Sequence, residues 1–292
     1  MKNIEKNEGI SIVVPVFNEV SCVTNVINNL LNVLETIAIP NELIIVDDGS
    51  TDGTEDCLEE ISNRITMITH SQNRGYGAAL KTGIRHASYP IIAITDADET
   101  YPNEELPNLL NWLKKYDMVV GSRTGEQAQI SLVKYSAKWL LTKLANYLLE
   151  DKIDDINSGF RIFRKKTADK FMHILPNRFS FTTTITLAMI SDGYRIKYVP
   201  INYFKRSGKS KIKPIDAMGF LILIIRMITY FNPLRFFLPL ALFLFCLGLT
   251  RLCYDLFWLR NLTDSTTLLF LFSLQVSLIG IVADLVVKRK DF

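Results

Sequence analysis

The residues of this chain best suited to chemistry are two aspartates, Asp96 and Asp98, which follow the apolar run Ile91–Ile94. One residue separates them, and residues two apart on an extended strand project to the same side, so both carboxylates can reach one point. Carboxylates at the carboxyl end of a buried strand hold a divalent cation against a phosphorylated ligand in α/β proteins. The pattern predicts a metal site, with a solvated acidic turn as the alternative.

Two further predicted strands end in unusual residues, so three strand ends are candidates for one site. Pro15, Phe17 and Glu19 lie at the first end, and Asp47 and Asp48 lie at the second. Ligands of open α/β sheets bind beyond the carboxyl ends of the strands. A Mg²⁺ or Mn²⁺ ion held by the four aspartates would offset the negative charge of a diphosphate. The same ion would stabilise a departing nucleoside diphosphate.

A basic segment at residues 205–213, KRSGKSKIK, contains five positive charges and no acid. Arg206, Ser210 and Lys211 are suited to clamping phosphates, because arginine makes bidentate contacts and lysine supplies a point charge. The alternative is a polybasic stretch attracted to anionic lipid, and both roles can hold together.

The elements that must position these residues alternate between strand and helix over the first part of the chain. The predicted strands are Ile10–Val16, Leu43–Val46, Thr66–His70, Pro90–Thr95 and Asp117–Gly121. The predicted helices between them are Cys22–Leu34, Thr54–Asn63, Gly77–His86 and Leu106–Lys115. An amphipathic helix at Val133–Leu149, a short strand after residues 154–161, and the segments Tyr194–Val199 and Ile201–Phe204 follow. This alternation predicts an α/β fold, Rossmann-like, with a mainly parallel sheet and helices on both faces.

Two apolar runs near the carboxyl end, Phe236–Trp258 and Leu268–Val287, are each long enough to cross a bilayer, which takes about 20 residues. Basic residues flank the pair, and the short connection holds only Arg260, so both termini are predicted to be cytosolic and the hairpin tip outside. A pair of buried core helices is the alternative. The nearly all-apolar segment Pro214–Phe231 is predicted to lie in the membrane interface, with a third core helix as the alternative.

These observations divide the chain of 292 residues into an α/β domain at 1–213, a juxtamembrane helix at 214–233 and a transmembrane hairpin at 234–292. No signal peptide is recognisable before the first strand, so the large domain is expected to remain cytosolic. The four cysteines form no CxxC pair, which indicates a reducing compartment. No nucleic-acid partner is expected. Short hairpin anchors can pair side by side, so a homo-oligomer is compatible with the sequence.

Seven motifs occur in a fixed order along the chain: VVPVFNE (Val13–Glu19), VDDGSTDGT (Val46–Thr54), NRGYGAALKTGI (Asn73–Ile84), DAD (Asp96–Asp98), VVGSR (Val119–Arg123), SGFR (Ser158–Arg161) and RSGKSK (Arg206–Lys211). Together they resemble the family 2 glycosyltransferases of GT-A fold. More narrowly, they are similar to the polyprenyl-phosphate sugar transferases, the dolichyl-phosphate mannose synthase-like group. The resemblance implies a GT-A catalytic domain, a nucleotide-sugar donor and a divalent cation.

The resemblance also implies roles for the donor side. Pro15, Phe17, Glu19 and Asp47 would hold the nucleoside. Asp96 would lie near the ribose and the sugar, and Asp98 would be the principal metal ligand, with Asp96 also assigned to the metal.

On the acceptor side, Arg123 and Arg206 would contact the acceptor phosphate or the diphosphate, and with Asp98 they are the predicted catalytic residues. The loop from Ser158 to Arg161 would lie near the acceptor, and Ser210 and Lys211 would close over the donor.

Two departures from the family pattern bear on the chemistry. Many relatives have Gln two residues after the second aspartate, where this chain has Thr100, so Glu99 or water is the alternative metal contact. Members that glycosylate hydroxyls usually carry an acidic base in the region matching Phe179–Met189, which here contains no acid. A hydroxyl needs a base, whereas a phosphate monoester with a second pKa near ~6 is already largely dianionic. Asp154 or Asp155 remains the alternative base.

The sequence thus predicts a membrane-bound inverting transferase that moves a sugar from a UDP- or GDP-linked donor to undecaprenyl or dolichyl phosphate at the cytosolic face of the bilayer. A transferase of the same fold acting on a hydroxyl of a glycolipid or polysaccharide is one alternative. A non-catalytic membrane scaffold that binds nucleotide sugar or lipid is the other.

Overall fold

A computed structural model describes residues 8–124, 143, 146–147, 153–178, 180–204 and 233–288 of the chain. Within these residues, seven strands form one sheet in the order β3-β2-β1-β4-β6-β5-β7. The strands are β1 (Ile10–Val16), β2 (Asn41–Asp47), β3 (Thr66–Thr69), β4 (Ile91–Ile94), β5 (Met118–Ser122), β6 (Arg161–Arg164) and β7 (Ile196–Pro200). Residues 201–204 follow β7 without regular secondary structure.

The sheet is mixed because one strand reverses its direction. Neighbouring pairs are parallel from β3 through β2 and β1 to β4, and again between β5 and β7. Strand β6 runs antiparallel to both of its neighbours, β4 and β5. The start of β6 therefore lies beside the carboxyl ends of β4 and β5, with Arg161 opposite Ile94 and Val120.

Eight α-helices are described, four of them in the first part of the chain. These are α1 (Val23–Glu35), α2 (Thr54–Glu59), α3 (Tyr76–His86) and α4 (Leu106–Trp112). Helices α5 (Lys165–Phe171) and α6 (Phe181–Ser191) follow β6, and α7 (Pro233–Tyr254) and α8 (Asp264–Lys288) lie at the carboxyl end. The predicted helix at Val133–Leu149 lies mostly outside the described residues, as does nearly all of the predicted interfacial helix.

The central strand β1 is buried along its whole length because helices cover both faces of the sheet. Ile12 and Val14 belong to the apolar core that includes the buried stripe of α1. Val13 points to the opposite face, where a Cβ added to Gly83 of α3 would lie 2.3 Å from Val13 Cγ1. Only glycine lets α3 approach the β1 strand this closely.

The chain divides into two compact units, one at residues 1–143 and 151–214 and one at 144–150 and 215–292. The second contains two helical segments, Pro233–Leu259 and Asp264–Val287, that are long and apolar enough to span a membrane. Many of their large apolar side chains face outward, including Leu242, Phe243 and Leu285, each about 60% exposed. The inner contacts use small residues: a Cβ on Gly280 would lie 2.6 Å from Phe237 Cβ.

The turn of this hairpin is organised by Asp255, which is fully buried. Its Oδ2 accepts hydrogen bonds from Thr263 N (2.9 Å), Thr263 Oγ1 (2.6 Å) and Thr266 Oγ1 (2.7 Å). The carboxylate thus links the end of the first helical segment to Thr263, which precedes α8, and to Thr266 in the first turn of α8.

Candidate active site

The acid pair lies in the loop after β4, which ends at Ile94, so turn geometry rather than strand alternation orients the two carboxylates. Asp98 is 8% exposed, and its Oδ1 accepts hydrogen bonds from Thr100 Oγ1 (2.5 Å) and Thr100 N (3.3 Å). Asp96 Oδ1 accepts a hydrogen bond from Tyr76 at 2.9 Å. Directly after Asp98, Glu99 adopts a left-handed φ of 59°, which is uncommon for a residue other than glycine.

These contacts define what Thr100 and Glu99 do in the structure. Thr100 orients Asp98 through a short side-chain hydrogen bond. Glu99 Oε1 accepts a hydrogen bond from Asn25 of α1 at 3.2 Å. Whether either contacts a metal stays a prediction.

The donor set fits a hard divalent cation that takes most of its ligands from substrate and water. Among the residues that the structure describes, no three His, Cys, Asp or Glu side chains come together as a metal cluster. Mg²⁺ characteristically binds one or two carboxylates together with substrate phosphates. Asp96 and Asp98 are the residues that would hold it.

The loops that follow β1 and β2 are joined by hydrogen bonds between backbone and side-chain atoms. Asn18 has a left-handed φ of 54°, and its Oδ1 accepts a hydrogen bond from Thr51 N at 2.7 Å. Glu19 N donates to Thr54 Oγ1 at 2.9 Å. Pro15 is buried within β1, and Phe17 and Glu19 are partly exposed at its end. The predicted nucleoside residues of β1 thus lie at the edge where the β2 loop joins them.

The two aspartates at the end of β2 face different partners. Asp47 is fully buried and accepts hydrogen bonds from the Ser50 hydroxyl (2.5 Å) and amide. Asp48 contacts His70 Nδ1 at 2.6 Å and accepts hydrogen bonds from Arg74 N (2.9 Å) and Gly75 N (2.7 Å). Asp48 thereby fixes the loop that begins α3, and its predicted contact with substrate stays a prediction.

The reversed strand β6 brings the predicted acceptor loop to the acid pair. Ser158 is fully buried, and its hydroxyl donates to Gly121 O at 2.6 Å. A Cβ added to Gly159 would lie 2.6 Å from Asp96 Oδ2. The backbone of the acceptor loop is therefore packed directly against a carboxylate of the predicted metal site.

Arg123 follows β5 and is held by a buried acid, Asp155, which precedes the acceptor loop. Its Nε and Nη2 atoms donate to Asp155 Oδ2 (2.7 Å) and Oδ1 (2.9 Å) in a bidentate pair. Its guanidinium lies 5.2 Å from the centroid of the Tyr203 ring. Burial opposes the charge, but Tyr101, Asp155 and Tyr203 outweigh it and raise the pKa of Arg123. Nη1 makes no hydrogen bond within the described part of the chain.

Arg161 lies beneath the acceptor loop with no exposed surface. Its guanidinium donates to Ser158 O, to Thr182 O (2.9 Å) and to Thr186 Oγ1 (2.9 Å). Burial lowers the pKa of Arg161. These contacts support the loop from within, so the geometry favours positioning of the acceptor loop over direct contact with substrate.

The region in which related enzymes carry a base is the helix α6, and threonines rather than acids face the loop from it. Thr183 Oγ1 donates to Asn157 Oδ1, and Thr182 and Thr186 engage Arg161. Of the two alternative bases, Asp155 is committed to Arg123 and Asp154 is exposed. The predicted residues Arg206, Ser210 and Lys211 lie outside the described residues.

Sequence reasoning missed two tyrosines and a histidine that shape this site. Tyr76 bonds to Asp96, and burial together with that carboxylate raises its pKa, so it stays a donor at neutral pH. Tyr101 contacts the acceptor loop through Gly159, and His70 contacts Asp48. Aromatic residues near an acid pair carry no periodic signal. Only the position of Tyr76 and Tyr101 inside or beside two motifs could have singled them out.

Comparison with known proteins places the chain in a family. Residues 11–172 match the family described as Glycosyl transferase family 2, and residues 232–288 match the GtrB C-terminal hairpin. A dolichyl-phosphate hexose transferase of Haloferax volcanii is 27% identical over 71% of this chain and 88% of that protein. An undecaprenyl-phosphate 4-deoxy-4-formamido-L-arabinose transferase of Yersinia enterocolitica is 27% identical over 63% of this chain and 60% of that protein.

Among solved structures, glucosyl-3-phosphoglycerate synthase of Mycobacterium tuberculosis, in complex with Mn²⁺, UDP and phosphoglyceric acid, superposes with a TM-score of 0.57 at 21% identity. The match covers 76% of this chain and 77% of that one, and it confirms the predicted GT-A fold. The match to the GtrB hairpin together with the two apolar helices indicates membrane association. The chain belongs to glycosyl transferase family 2 and is a glycosyltransferase with a GtrB-type hairpin at its carboxyl end.

Proposed function

We propose that this enzyme transfers a sugar, with inversion, from a UDP- or GDP-linked donor to undecaprenyl or dolichyl phosphate. The relatives named as dolichyl-phosphate and undecaprenyl-phosphate transferases support the acceptor class. The structural neighbour that binds UDP with Mn²⁺ supports a nucleotide donor and a divalent cation.

The observation that carries the proposal is the state of the buried acid that precedes the acceptor loop. Asp155 is fully buried and forms the bidentate pair with Arg123, while Gly159 of the acceptor loop packs against Asp96. A hydroxyl acceptor would require a base to take its proton. A phosphate monoester, with its second pKa near ~6, requires none and would be attracted to the positive charge of Arg123.

The reaction balances without proton transfer. An oxygen of the acceptor phosphate attacks the anomeric carbon from the side opposite the leaving group, and the bond from that carbon to the diphosphate oxygen breaks. The electron pair of the broken bond leaves with the nucleoside diphosphate. A cation bound at Asp96 and Asp98 would supply Lewis-acid stabilisation of this leaving group. The chain's own contribution is positioning and electrostatics.

Several finer assignments are part of the proposal. Arg206, Ser210 and Lys211 would contact the phosphates from the segment that precedes the hairpin. The distribution of basic residues favours a cytosolic catalytic domain with both termini on that side. Pro15, Phe17, Glu19 and Asp47 would bind the nucleoside.

The test compares two acceptors that differ only in the phosphate. Full-length protein in detergent is incubated with radiolabelled UDP- and GDP-sugars, Mn²⁺, and either undecaprenyl phosphate or undecaprenol. We expect product only with the phosphate, and we expect mild acid to release the sugar from it. Comparable transfer to undecaprenol or to a glycolipid hydroxyl would overturn the proposal. Binding of donor without turnover of any acceptor would instead support a scaffold.

A further inference from the structure

Tyr101, three residues after Asp98, connects the acid-pair loop to the acceptor loop. The side chain is 6% exposed, and its hydroxyl oxygen accepts a hydrogen bond from Gly159 N at 2.7 Å. Its ring stacks on Phe160, with the centroids 5.7 Å apart and the planes inclined by 21°. One side chain of the acid-pair loop therefore holds two consecutive residues of the acceptor loop.

The same turn also holds the segment that follows β7. The Tyr101 ring meets the edge of Tyr203 at a centroid distance of 5.3 Å, and Tyr203 lies under the Arg123 guanidinium. Beside it, Phe204 N donates to Thr100 O at 3.0 Å. Three separate chain segments that border the candidate site thus meet at Thr100–Tyr101.

We propose that Tyr101 is a positioning residue that sets the acceptor loop against Asp96, an inference that rests on the proposed function. Gly159 links Tyr101 to Asp96, because its amide donates a hydrogen bond to Tyr101 and its Cα faces Asp96. The Gly159 amide is buried, and a buried donor that loses its acceptor is costly. Without the hydroxyl, the loop would relax away from the geometry in which an acceptor bound there meets the donor sugar.

The chemistry of the phenol suits this task over a wide pH range. Burial raises the pKa of Tyr101 well above that of an ordinary tyrosine, and the charges of Arg123 and Asp96 oppose each other in their effect on it. The phenol is therefore neutral at physiological pH. The hydrogen bond between Tyr101 and Gly159 therefore does not change with pH near neutrality.

The test removes the hydroxyl alone, with Tyr101→Phe in the full-length protein. The matched control is Tyr116→Phe, because Tyr116 packs edge-on against Trp112 (6.2 Å) before the start of β5, at the end of that strand away from the site. The readouts are the KM for undecaprenyl phosphate, the KM for the nucleotide sugar, and hydrogen exchange of the segment 153–164 in the apoprotein.

We expect Tyr101→Phe to raise the acceptor KM or lower the acceptor kcat/KM about tenfold, the scale of one lost buried hydrogen bond. Exchange in segment 153–164 should quicken by a similar factor, while the KM for the nucleotide sugar stays within twofold of the control. Unchanged exchange would overturn the inference, and so would an equal rise in the KM for the nucleotide sugar. Failure of the unmodified enzyme to use polyprenyl phosphate would overturn the proposed function, whereas the exchange measurement would still decide the role of Tyr101.

Discussion

Replacing Gly159 by alanine tests whether the close contact between the acceptor loop and the acid pair matters for catalysis. The new Cβ would lie 2.6 Å from Asp96 Oδ2 and 2.9 Å from Oδ1, while ordinary contact begins at 3.4 Å. The carboxylate must therefore move by about 0.8 Å. No left-handed φ is involved, so the effect of the substitution is steric and not a backbone penalty.

The movement has a calculable cost at the carboxylate. Tyr76 holds Asp96 Oδ1 at 2.9 Å, and a shift of this size weakens or breaks that bond. A hydrogen bond to a charged group contributes roughly 1.5–3 kcal/mol. A misplacement near 1 Å in an active site lowers a rate by up to about 100-fold. We expect kcat/KM to fall about 10- to 100-fold, with the midpoint for Mn²⁺ activation shifted to higher concentration.

The assay measures sugar transfer to undecaprenyl phosphate over a Mn²⁺ titration, with thermal unfolding recorded for each variant. Gly193→Ala is the control: Gly193 has open space around its Cβ position and a φ of 77°, so alanine there costs roughly 1–2 kcal/mol of stability without touching the site. Adding Tyr76→Phe to Gly159→Ala should cost less than the two separate losses combined, because both act on Asp96. Wild-type kcat/KM in Gly159→Ala, within twofold, would refute this reasoning.

Three further predictions concern the buried side chains of Asp155, Cys22 and Asp255. Asp155→Asn should destabilise the fold by roughly 3 kcal/mol and raise the acceptor KM, because it leaves Arg123 without its paired charge; denaturant unfolding and kinetics would measure both, and an unaltered acceptor KM would argue against the role of the pair. Burial, and next the charge of Glu19, raise the pKa of Cys22 to about 11. Its thiol should therefore resist iodoacetamide below pH 9, and the stability that this protonated state contributes should be lost as pH rises from 9 towards 11. Mass spectrometry after timed alkylation checks this, and rapid labelling at pH 8 would contradict it. Asp255→Ala should lower the unfolding temperature of the detergent-solubilised protein, because Thr263 and Thr266 lose their shared acceptor, a loss of about 1–3 kcal/mol, with transfer per folded molecule unchanged. An unshifted temperature would show that the turn does not depend on this carboxylate.

The sequence predicted the first four strands of the sheet well because their signals are local. Strand β1 begins and ends where the apolar run Ile10–Val16 does, and each predicted strand end is followed by the expected loop. The reversed direction of β6 was not predicted, because strand direction depends on which neighbours a short apolar segment finds in three dimensions. Helix α6 was missed for a related reason: its β-branched threonines disfavour helix in isolation, and burial of nearly the whole segment overrides that preference.

The candidate site was predicted at the level of which residues gather, but not at the level of what each one touches. The sequence placed Asp96, Asp98 and Gly159 within recognisable motifs, and the structure brings their two loops together. Spacing along the chain could not show that Asp48 turns to His70, or that Arg161 is buried beneath its loop. Those outcomes depend on side-chain packing between segments far apart in sequence.

The antiparallel course of β6 has a consequence for how enzymes of this architecture can diversify. Strand β5 ends and β6 begins at the same rim of the sheet, so the connection between them can change in length without altering strand register. On the proposed function, a new acceptor preference would arise by exchanging this single connection between relatives, while the strand ends that precede Asp48 and Asp96 keep their register.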